Sequence, residues 1–335
     1  MVRVAINGFG RIGRMFLRIA LTNKEIDVVA INDLTDTKTL ATLFQYDSVH
    51  GKYQKKVSST KSSIKIENKT IPIYALKNPR ELPWEKLNVD LVLESTGIFR
   101  NQDTAAMHML AGAKKVFLSA PAKPSKDTKE KFQTIVMGVN DFKIKKDINI
   151  ISNASCTTNC VAPTLKVINS VFGIENCMFT TIHGYTSDQR IVDTPHKDLR
   201  RARAAALNIV PTSTGADIAT AQVIPQLRGK ISGKAIRVPV ADGSVTDFVI
   251  YTKKKVTVDL VHSALQKSIK KELKGIVEFS KDDLVSTDII GNSHSAIIDS
   301  KVTTILSDNI LKLLVWYDNE WGYSSRLVDL IKKVK

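Results

Sequence analysis

The residues of this 335-residue chain best suited to covalent chemistry lie in Ser152-Asn153-Ala154-Ser155-Cys156-Thr157-Thr158-Asn159-Cys160. An apolar-periodic segment, residues 161–172, follows at once, so Cys156 is expected at a helix N-terminus. Amide N–H groups and the positive dipole end favour thiolate there, and thiolate is the nucleophilic form. A free cysteine near pKa 8.5 is only about 3% ionised at neutral pH, and a dipole alone does too little to change that. A second basic or cationic group is required. Thr181-Ile182-His183-Gly184-Tyr185-Thr186 supplies an imidazole after a β-branched and aromatic run, which places His183 near a strand end. The alternative is a buried apolar cysteine and a satisfied core histidine. The hydrogen-bonding side chains around Cys156 speak against it. Cys156, Cys160, Cys177 and His183 could in principle bind zinc. No second paired-ligand motif accompanies them, and no metal is expected.

A second constellation opens the chain. The strand-like run at residues 2–6 leads into Asn7-Gly8-Phe9-Gly10-Arg11-Ile12-Gly13 and a helical pattern, so Gly8, Gly10 and Gly13 form G-x-G-x-x-G in the strand–turn–helix context of a dinucleotide site. The next strand ends in Asp33, about 20 residues beyond the last glycine, where a ribose 2′-hydroxyl is held. Asp33 would repel a 2′-phosphate, which favours NAD over NADP.

Hydroxyls and arginines gather after Cys156. Ile209-Val210-Pro211-Thr212-Ser213-Thr214-Gly215 leads into a helix, either as a phosphate site or as a plain cap. Arg237 sits inside an apolar strand and needs a carboxylate or a phosphate. The run at residues 199–206, with Arg200, Arg201 and Arg203, is a solvated helical turn or an anion site. His196, in a polar, proline-bearing loop, is expected at the surface.

These groups must be positioned by a fold. Strands recur at residues 90–97 and 116–121 around a helix over residues 103–113, placing Thr96, Gly97 and Ser119 at strand carboxyl ends of a parallel sheet. Residues 55–74 read as an antiparallel excursion and residues 123–133 as a charged insertion, helical or loop. Pro163 should bend the helix after Cys156. Strands at 245–252, 296–303 and 312–317, with a helix at 258–273, suggest an antiparallel second sheet, and a helix over 323–334 ends the chain. The expected fold is α/β: a Rossmann-type doubly wound parallel sheet plus an α+β catalytic domain with a mostly antiparallel sheet. The expected domains are 1–151 with 319–335 for NAD and 152–318 for substrate.

Composition excludes several classes. A chain 43% apolar and 24% charged is ordinarily globular. Three irregularly spaced cysteines make no disulfide framework and suit a reducing compartment. Residues 1–6 form a strand rather than a signal region, and no uncharged run reaches spanning length, so a cytoplasmic protein without a membrane partner is expected. The net charge of +16 asks for anionic partners, but the lysines are scattered and few aromatics interleave them. A dedicated nucleic-acid groove is not expected.

The stretch around Cys156, with Thr-Ile-His-x-Tyr-Thr downstream, resembles the signature of the phosphorylating glyceraldehyde-3-phosphate dehydrogenase family, and the likeness runs nearly the whole chain. The resemblance implies a homotetramer that oxidises D-glyceraldehyde 3-phosphate with NAD and inorganic phosphate to 1,3-bisphosphoglycerate through a cysteine thioester, in glycolysis and gluconeogenesis. It implies Cys156 as nucleophile and His183 as base. Arg11, Ile12, Asp33, Ser119 and Asn319 resemble NAD contacts, with Lys77 a weaker match, beside Asn7, Gly8, Gly10 and Thr96 of the fingerprint and strand ends. Ser155, Thr157, Thr186, Arg201, Thr214, Gly215 and Arg237 match positions that hold the substrate phosphate and the attacking phosphate. Thr194 stands where many NAD-using relatives carry an apolar residue, which leaves NADP use open. Gly184 replaces the commoner Ala. The rival readings are erythrose-4-phosphate dehydrogenase and, in another class, a nucleic-acid or surface-binding protein.

Overall fold

The computed structural model describes residues 1–125, 132–145 and 147–334. Of the charged insertion expected over residues 123–133, residues 126–131 lie outside those described. The chain divides into two compact units, one of Met1–Ile135, Asp141–Ala154 and Ser324–Lys335, the other of Val136–Asn140 and Ser155–Tyr323.

The first unit contains β1 (Val2–Asn7), α1 (Arg11–Ala20), β2 (Ile26–Asn32), α2 (Thr37–Gln45), β3 (Val57–Ser59), β4 (Ser63–Ile66), β5 (Lys69–Tyr74), β6 (Leu91–Glu94), α3 (Gln102–Leu110), β7 (Lys115–Leu118), β8 (Phe132–Thr134) and β9 (Ile150–Ser152). Its sheet runs β3-β4-β5-β2-β1-β6-β7-β9-β8. From β5 to β8 every pair is parallel, and only β3–β4 and β4–β5 are antiparallel. The residues of β6 are all buried, as strands covered on both faces must be. Met15, Phe16 and Leu17 of α1 are fully buried, each contributing about 1.5–3 kcal/mol by leaving water. This sheet is the Rossmann-type sheet expected, with residues 55–74 as its antiparallel edge. Helix α2 had no clear sequence signal, because its threonines blur the apolar period. Asp36 caps it by accepting from the Thr39 N–H at 2.9 Å, and Leu40, Ala41 and Phe44 anchor it. Helix α3 stops at Leu110, short of the expected 113, where Gly112 turns the chain with φ +103°.

The second unit contains α4 (Cys156–Phe172), β10 (Ile174–Gly184), β11 (Val210–Thr212), α5 (Ala216–Val223), β12 (Ile231–Val238), β13 (Ser244–Thr252), α6 (Val258–Ile269), β14 (Val277–Ser280), β15 (Ala296–Leu306) and β16 (Ile310–Tyr317). Helix α7 (Trp321–Val334) closes the chain. The sheet order is β11-β12-β10-β13-β16-β15-β14, mostly antiparallel. The exceptions are the parallel pairs β10–β12 and β14–β15. The first of these matters for chemistry: parallel pairing puts the carboxyl ends of β10 and β12 side by side, with His183 opposite Arg237.

Candidate active site

Cys156 is the first residue of α4, as its sequence context predicts. Ser155 caps the helix: its Oγ accepts from the Thr158 N–H at 3.0 Å and lies 2.7 Å from Thr158 Oγ1. The cap fixes the chain's entry, so the cysteine side chain leaves the first turn in one direction. His183, the penultimate residue of β10 and 4% exposed, brings Nε2 to 3.4 Å from Cys156 Sγ. The carbonyl of Gly184 lies 2.7 Å from His183 Nδ1 and also accepts from Arg237 Nη1 at 2.9 Å. Two groups meet Nδ1: the Gly184 carbonyl can only accept from it, and Arg237 Nη1, 2.8 Å away, can only donate to it; the tautomer with its proton on Nδ1 is the one that turns the Nε2 lone pair to sulfur, as a base needs.

The electrostatics depart from the expected preformed thiolate. Burial pushes the Cys156 thiol up, and the Arg237 charge and the Thr157 hydrogen bonds pull it down without overcoming burial. Burial also pushes His183 down to about 3, reinforced by the charge of Arg237, whose Nη1 lies 2.8 Å from Nδ1. Burial thus disfavours charge on both members of the pair. Helix and cation lower the cost of the anion, but a low-dielectric site raises it more.

Arg237 carries an Nε buried without a hydrogen-bond partner, a cation with donor capacity to spare. Arg201 is different. Its guanidinium is engaged by Asp188, by Thr212 Oγ1 at 3.0 Å and by Asp198 at 3.6 Å, so in this state it is neutralised. Thr214 Oγ1 accepts from the Ala216 N–H at 3.2 Å, and Gly215 stands at the N-terminus of α5 with no side-chain cap and no atom within 4 Å of where a Cβ would be. Thr157 turns its hydroxyl to Tyr317, 2.9 Å away, and Thr186 is half-buried with its carbonyl accepting from the Gln189 N–H at 2.9 Å. The surface expectation for His196 is not met: its side chain is 8% exposed and pairs with Asp188 at 3.6 Å.

In the first unit the fingerprint has the shape a dinucleotide needs. Gly8 takes φ +93°, and a Cβ there would sit 2.7 Å from the Thr96 nitrogen; a Cβ on Gly13 would sit 2.3 Å from the Gly8 carbonyl. Gly10 opens α1 with nothing within 4 Å of a Cβ and no side-chain cap, which leaves room for a pyrophosphate at the helix start. Asp33 is fixed by the Phe9 N–H at 2.8 Å and the Thr35 N–H at 3.0 Å. The side chain of Arg11 points elsewhere, into a two-pronged pair with Asp47. Burial pushes Asp47 up, but Arg11 and the His50 and Val49 N–H groups outweigh it and hold Asp47 down at about 2. Arg11 and Ile12 can thus serve an anion through the backbone of the first turn. Asn7, Thr96 and Ser119 lie at the carboxyl ends of β1, β6 and β7, and Lys77 is exposed.

Two contributors escaped the sequence reading. Tyr317, at the end of β16, places its hydroxyl 2.9 Å from Thr157 Oγ1 and 2.6 Å from Thr181 Oγ1, and its ring meets His183 edge-on at 5.9 Å. Ser244 accepts from the Gly184 N–H at 3.2 Å and donates to Asn319 Oδ1 at 2.6 Å, tying the strand end after His183 to the expected cofactor contact Asn319. Nothing in a linear reading marks a tyrosine or serine that acts by holding a neighbour.

A parallel-sheet unit with a dinucleotide fingerprint and a second unit pairing a thiol with imidazole define an NAD-dependent oxidoreductase acting on aldehydes. The comparisons narrow this. The NAD binding domain of glyceraldehyde 3-phosphate dehydrogenase matches residues 2–102 and its C-terminal domain matches residues 155–319. The glyceraldehyde-3-phosphate dehydrogenase of Borreliella burgdorferi is 52% identical over 340 residues, covering 99% of each chain. That of Geobacillus stearothermophilus is 52% identical over 98% of this chain and 97% of its own, and glyceraldehyde-3-phosphate dehydrogenase 1 of Bacillus subtilis is 51% identical over the same shares. The chain belongs to the glyceraldehyde-3-phosphate dehydrogenase family.

Proposed function

We propose that the chain is the phosphorylating form of this enzyme, oxidising D-glyceraldehyde 3-phosphate with inorganic phosphate to an acyl phosphate through a thioester on Cys156. The observation that carries this is the 3.4 Å approach of Cys156 Sγ to His183 Nε2 beside the Arg237 guanidinium. An aldehyde gives up hydride readily only after a nucleophile has made its carbon tetrahedral. As sulfur attacks the carbonyl carbon, the thiol proton passes to His183 Nε2 and then to the new oxyanion, giving a hemithioacetal. His183 takes the hydroxyl proton back as the C–H bond breaks with its electron pair, and the carbon becomes a thioester. NAD, held by the fingerprint of the first unit, would supply the hydride-accepting chemistry here. A phosphate oxygen then bonds to the acyl carbon and sulfur leaves as thiolate, which His183 reprotonates.

The backbone of Gly8, Gly10, Arg11 and Ile12 is suited to the pyrophosphate and Asp33 to the adenosine ribose, with Asn7, Lys77, Thr96 and Ser119 around them. Asn319 is assigned to the cofactor on resemblance. Arg237, with its unpaired Nε, and Arg201 serve the two phosphates together with Ser155, Thr157, Thr186, Thr214 and Gly215. Arg201 has first to loosen from Asp188. Ile191, Leu199 and Leu207 are more than four-fifths exposed, which supports their burial against other copies in a homotetramer. The three cysteines are free, which suits a reducing, cytoplasmic setting.

The test is NADH formation from glyceraldehyde 3-phosphate with inorganic phosphate or arsenate titrated in. Turnover should rise from near zero with either anion. Equal turnover without them, or a preference for erythrose 4-phosphate, overturns the reading, and parallel assays with NADP measure what Thr194 does to selectivity.

A further inference from the structure

Behind the dinucleotide fingerprint lies a buried polar network that the chemistry above does not use. Trp84, fully buried among Ala5, Ala30 and Val92, donates its indole Nε1–H to His108 Nδ1 at 3.1 Å. An indole nitrogen can only donate, so Nδ1 is an acceptor and the neutral ring carries its proton on Nε2. That nitrogen lies 3.1 Å from Glu94 Oε2, and both residues are at most 2% exposed. The same Glu94 oxygen accepts from Asn7 Nδ2 at 2.6 Å, and Oε1 accepts from the Thr96 N–H at 2.8 Å and from the Thr96 hydroxyl. Asn32 donates to Asn7 Oδ1 at 2.7 Å and grips the Leu76 backbone in both directions at 3.0 Å.

The network joins the carboxyl ends of β1, β2 and β6, the segment before Lys77 and helix α3. Those strand ends are where an open α/β sheet holds its ligand, and Asn32 immediately precedes Asp33. A core needs no such array for stability alone, since apolar residues of equal volume serve as well. What a fully satisfied network supplies is one fixed arrangement of the groups at its edge.

We propose that His108 and Glu94 are positioning residues for NAD: held in one tautomer by Trp84, His108 orients the Glu94 carboxylate, which sets Thr96, Asn7 and, through Asn32, the Leu76–Lys77 turn in the geometry that receives the dinucleotide. The inference rests on NAD binding by this unit, which titration of the unaltered protein tests separately.

The experiment compares Trp84→Phe, which deletes the donor and trims the indole to a phenyl ring, and Glu94→Gln, which keeps the shape, with Ile64→Val, a trimmed buried side chain of the same unit outside the network that controls for lost volume. The expected result is NAD affinity weakened about tenfold in the first two, with kcat at saturating NAD within about twofold of the unaltered enzyme. Ile64→Val should lower the melting temperature and leave NAD affinity unchanged. Unchanged affinity in Trp84→Phe, or a fall in kcat with affinity intact, overturns the proposal. Should both network variants fail to fold, amide hydrogen exchange on the unaltered protein decides: residues 102–110 of α3 should slow on NAD binding, and exchange there indifferent to NAD overturns it.

Discussion

His183 and Arg237 are register partners on the parallel strands β10 and β12, with Arg237 Nη1 2.8 Å from the imidazole Nδ1. The same cation therefore acts on both halves of the reacting pair: it lowers the thiol against burial and lowers the imidazole together with burial. Arg237→Gln should raise both. The rate of iodoacetamide alkylation of Cys156, followed from pH 6 to 10, should take its alkaline rise at higher pH in the variant. Loss of a charge-assisted contact of about 1.5–3 kcal/mol should also raise the KM for glyceraldehyde 3-phosphate about tenfold or more. An alkylation profile that does not move would show that Arg237 acts on substrate alone.

Alkylation should also be selective. Cys160 is fully buried and Cys177 is 1% exposed, and burial pushes both thiols up, Cys177 to about 12. Cys156 keeps partial access to solvent and has a base at hand. Iodoacetamide should therefore label one cysteine per chain by mass spectrometry and abolish NADH formation in proportion. Cys156→Ser should lose at least about 10³-fold in kcat, since a hydroxyl is a far poorer nucleophile next to the same imidazole. Labelling of Cys160 at a comparable rate would contradict the burial argument.

The sign of the pH dependence of stability follows from His183. Its folded pKa, about 3, lies below the ordinary 6.5 of the unfolded chain. Between those values the unfolded state takes up a proton that the native state refuses, so stability falls as pH drops from 6.5 towards 3 and is unaffected above that window. Asp47, at about 2 against 3.8, adds a loss at the lower end of the same descent. Urea midpoints at pH 7, 5 and 4 should decline, and His183→Asn should flatten the decline between pH 6.5 and 4. A variant with the native slope would place the responsible group elsewhere.

The dinucleotide glycines separate packing from binding. Gly13→Ala forces a Cβ to within 2.3 Å of the Gly8 carbonyl, a backbone atom that cannot step aside, so the strand–helix contact must open and the unit should be strongly destabilised. Gly10→Ala meets empty space. Its cost to stability should stay within about 1 kcal/mol, the difference between the two residues at a helix start, while its methyl projects where a pyrophosphate would lie. Isothermal titration should show NAD binding lost or much weakened in Gly10→Ala with the melting temperature nearly unchanged. Equal loss of stability in both would undo the distinction.

How much of this was legible beforehand differs by kind of residue. Periodicity gave the parallel sheet, the antiparallel second sheet and the helix that starts at Cys156, because apolar patterning and parallel topology are local or nearly so. Gly8, Gly10, Gly13 and Asp33 could be read because backbone chemistry demands them at fixed spacing. What escaped depends on distance in sequence. Asp188 and Asp198 pair with Arg201 from across a loop, Asp47 takes the Arg11 side chain 36 residues away, and the buried surroundings that push the Cys156 thiol up are assembled by strands far along the chain. Helix α2 was hidden for a different reason, since Thr37, Thr39 and Thr42 weaken both the period and the propensity.

Tyr317 gives the last test, because its role is entirely one of support. Its hydroxyl bridges Thr157 on α4 and Thr181 on β10, at 2.9 and 2.6 Å, and so couples the helix that carries the nucleophile to the strand that carries the base. Burial raises the phenol far above its usual range, so it stays a neutral hydroxyl throughout the working pH and takes no part as an acid. Tyr317→Phe keeps the ring edge against His183 but leaves two buried threonine hydroxyls with a partner fewer, at a cost of about 1–3 kcal/mol. The helix start can then drift relative to the strand end, and a sulfur-to-nitrogen approach of 3.4 Å has little slack before proton transfer suffers. The expected outcome is a several-fold drop in kcat and in the Cys156 alkylation rate, with NAD affinity unchanged. A drop in stability alone, with both rates intact, would mean that the bridge holds the fold and not the reacting pair.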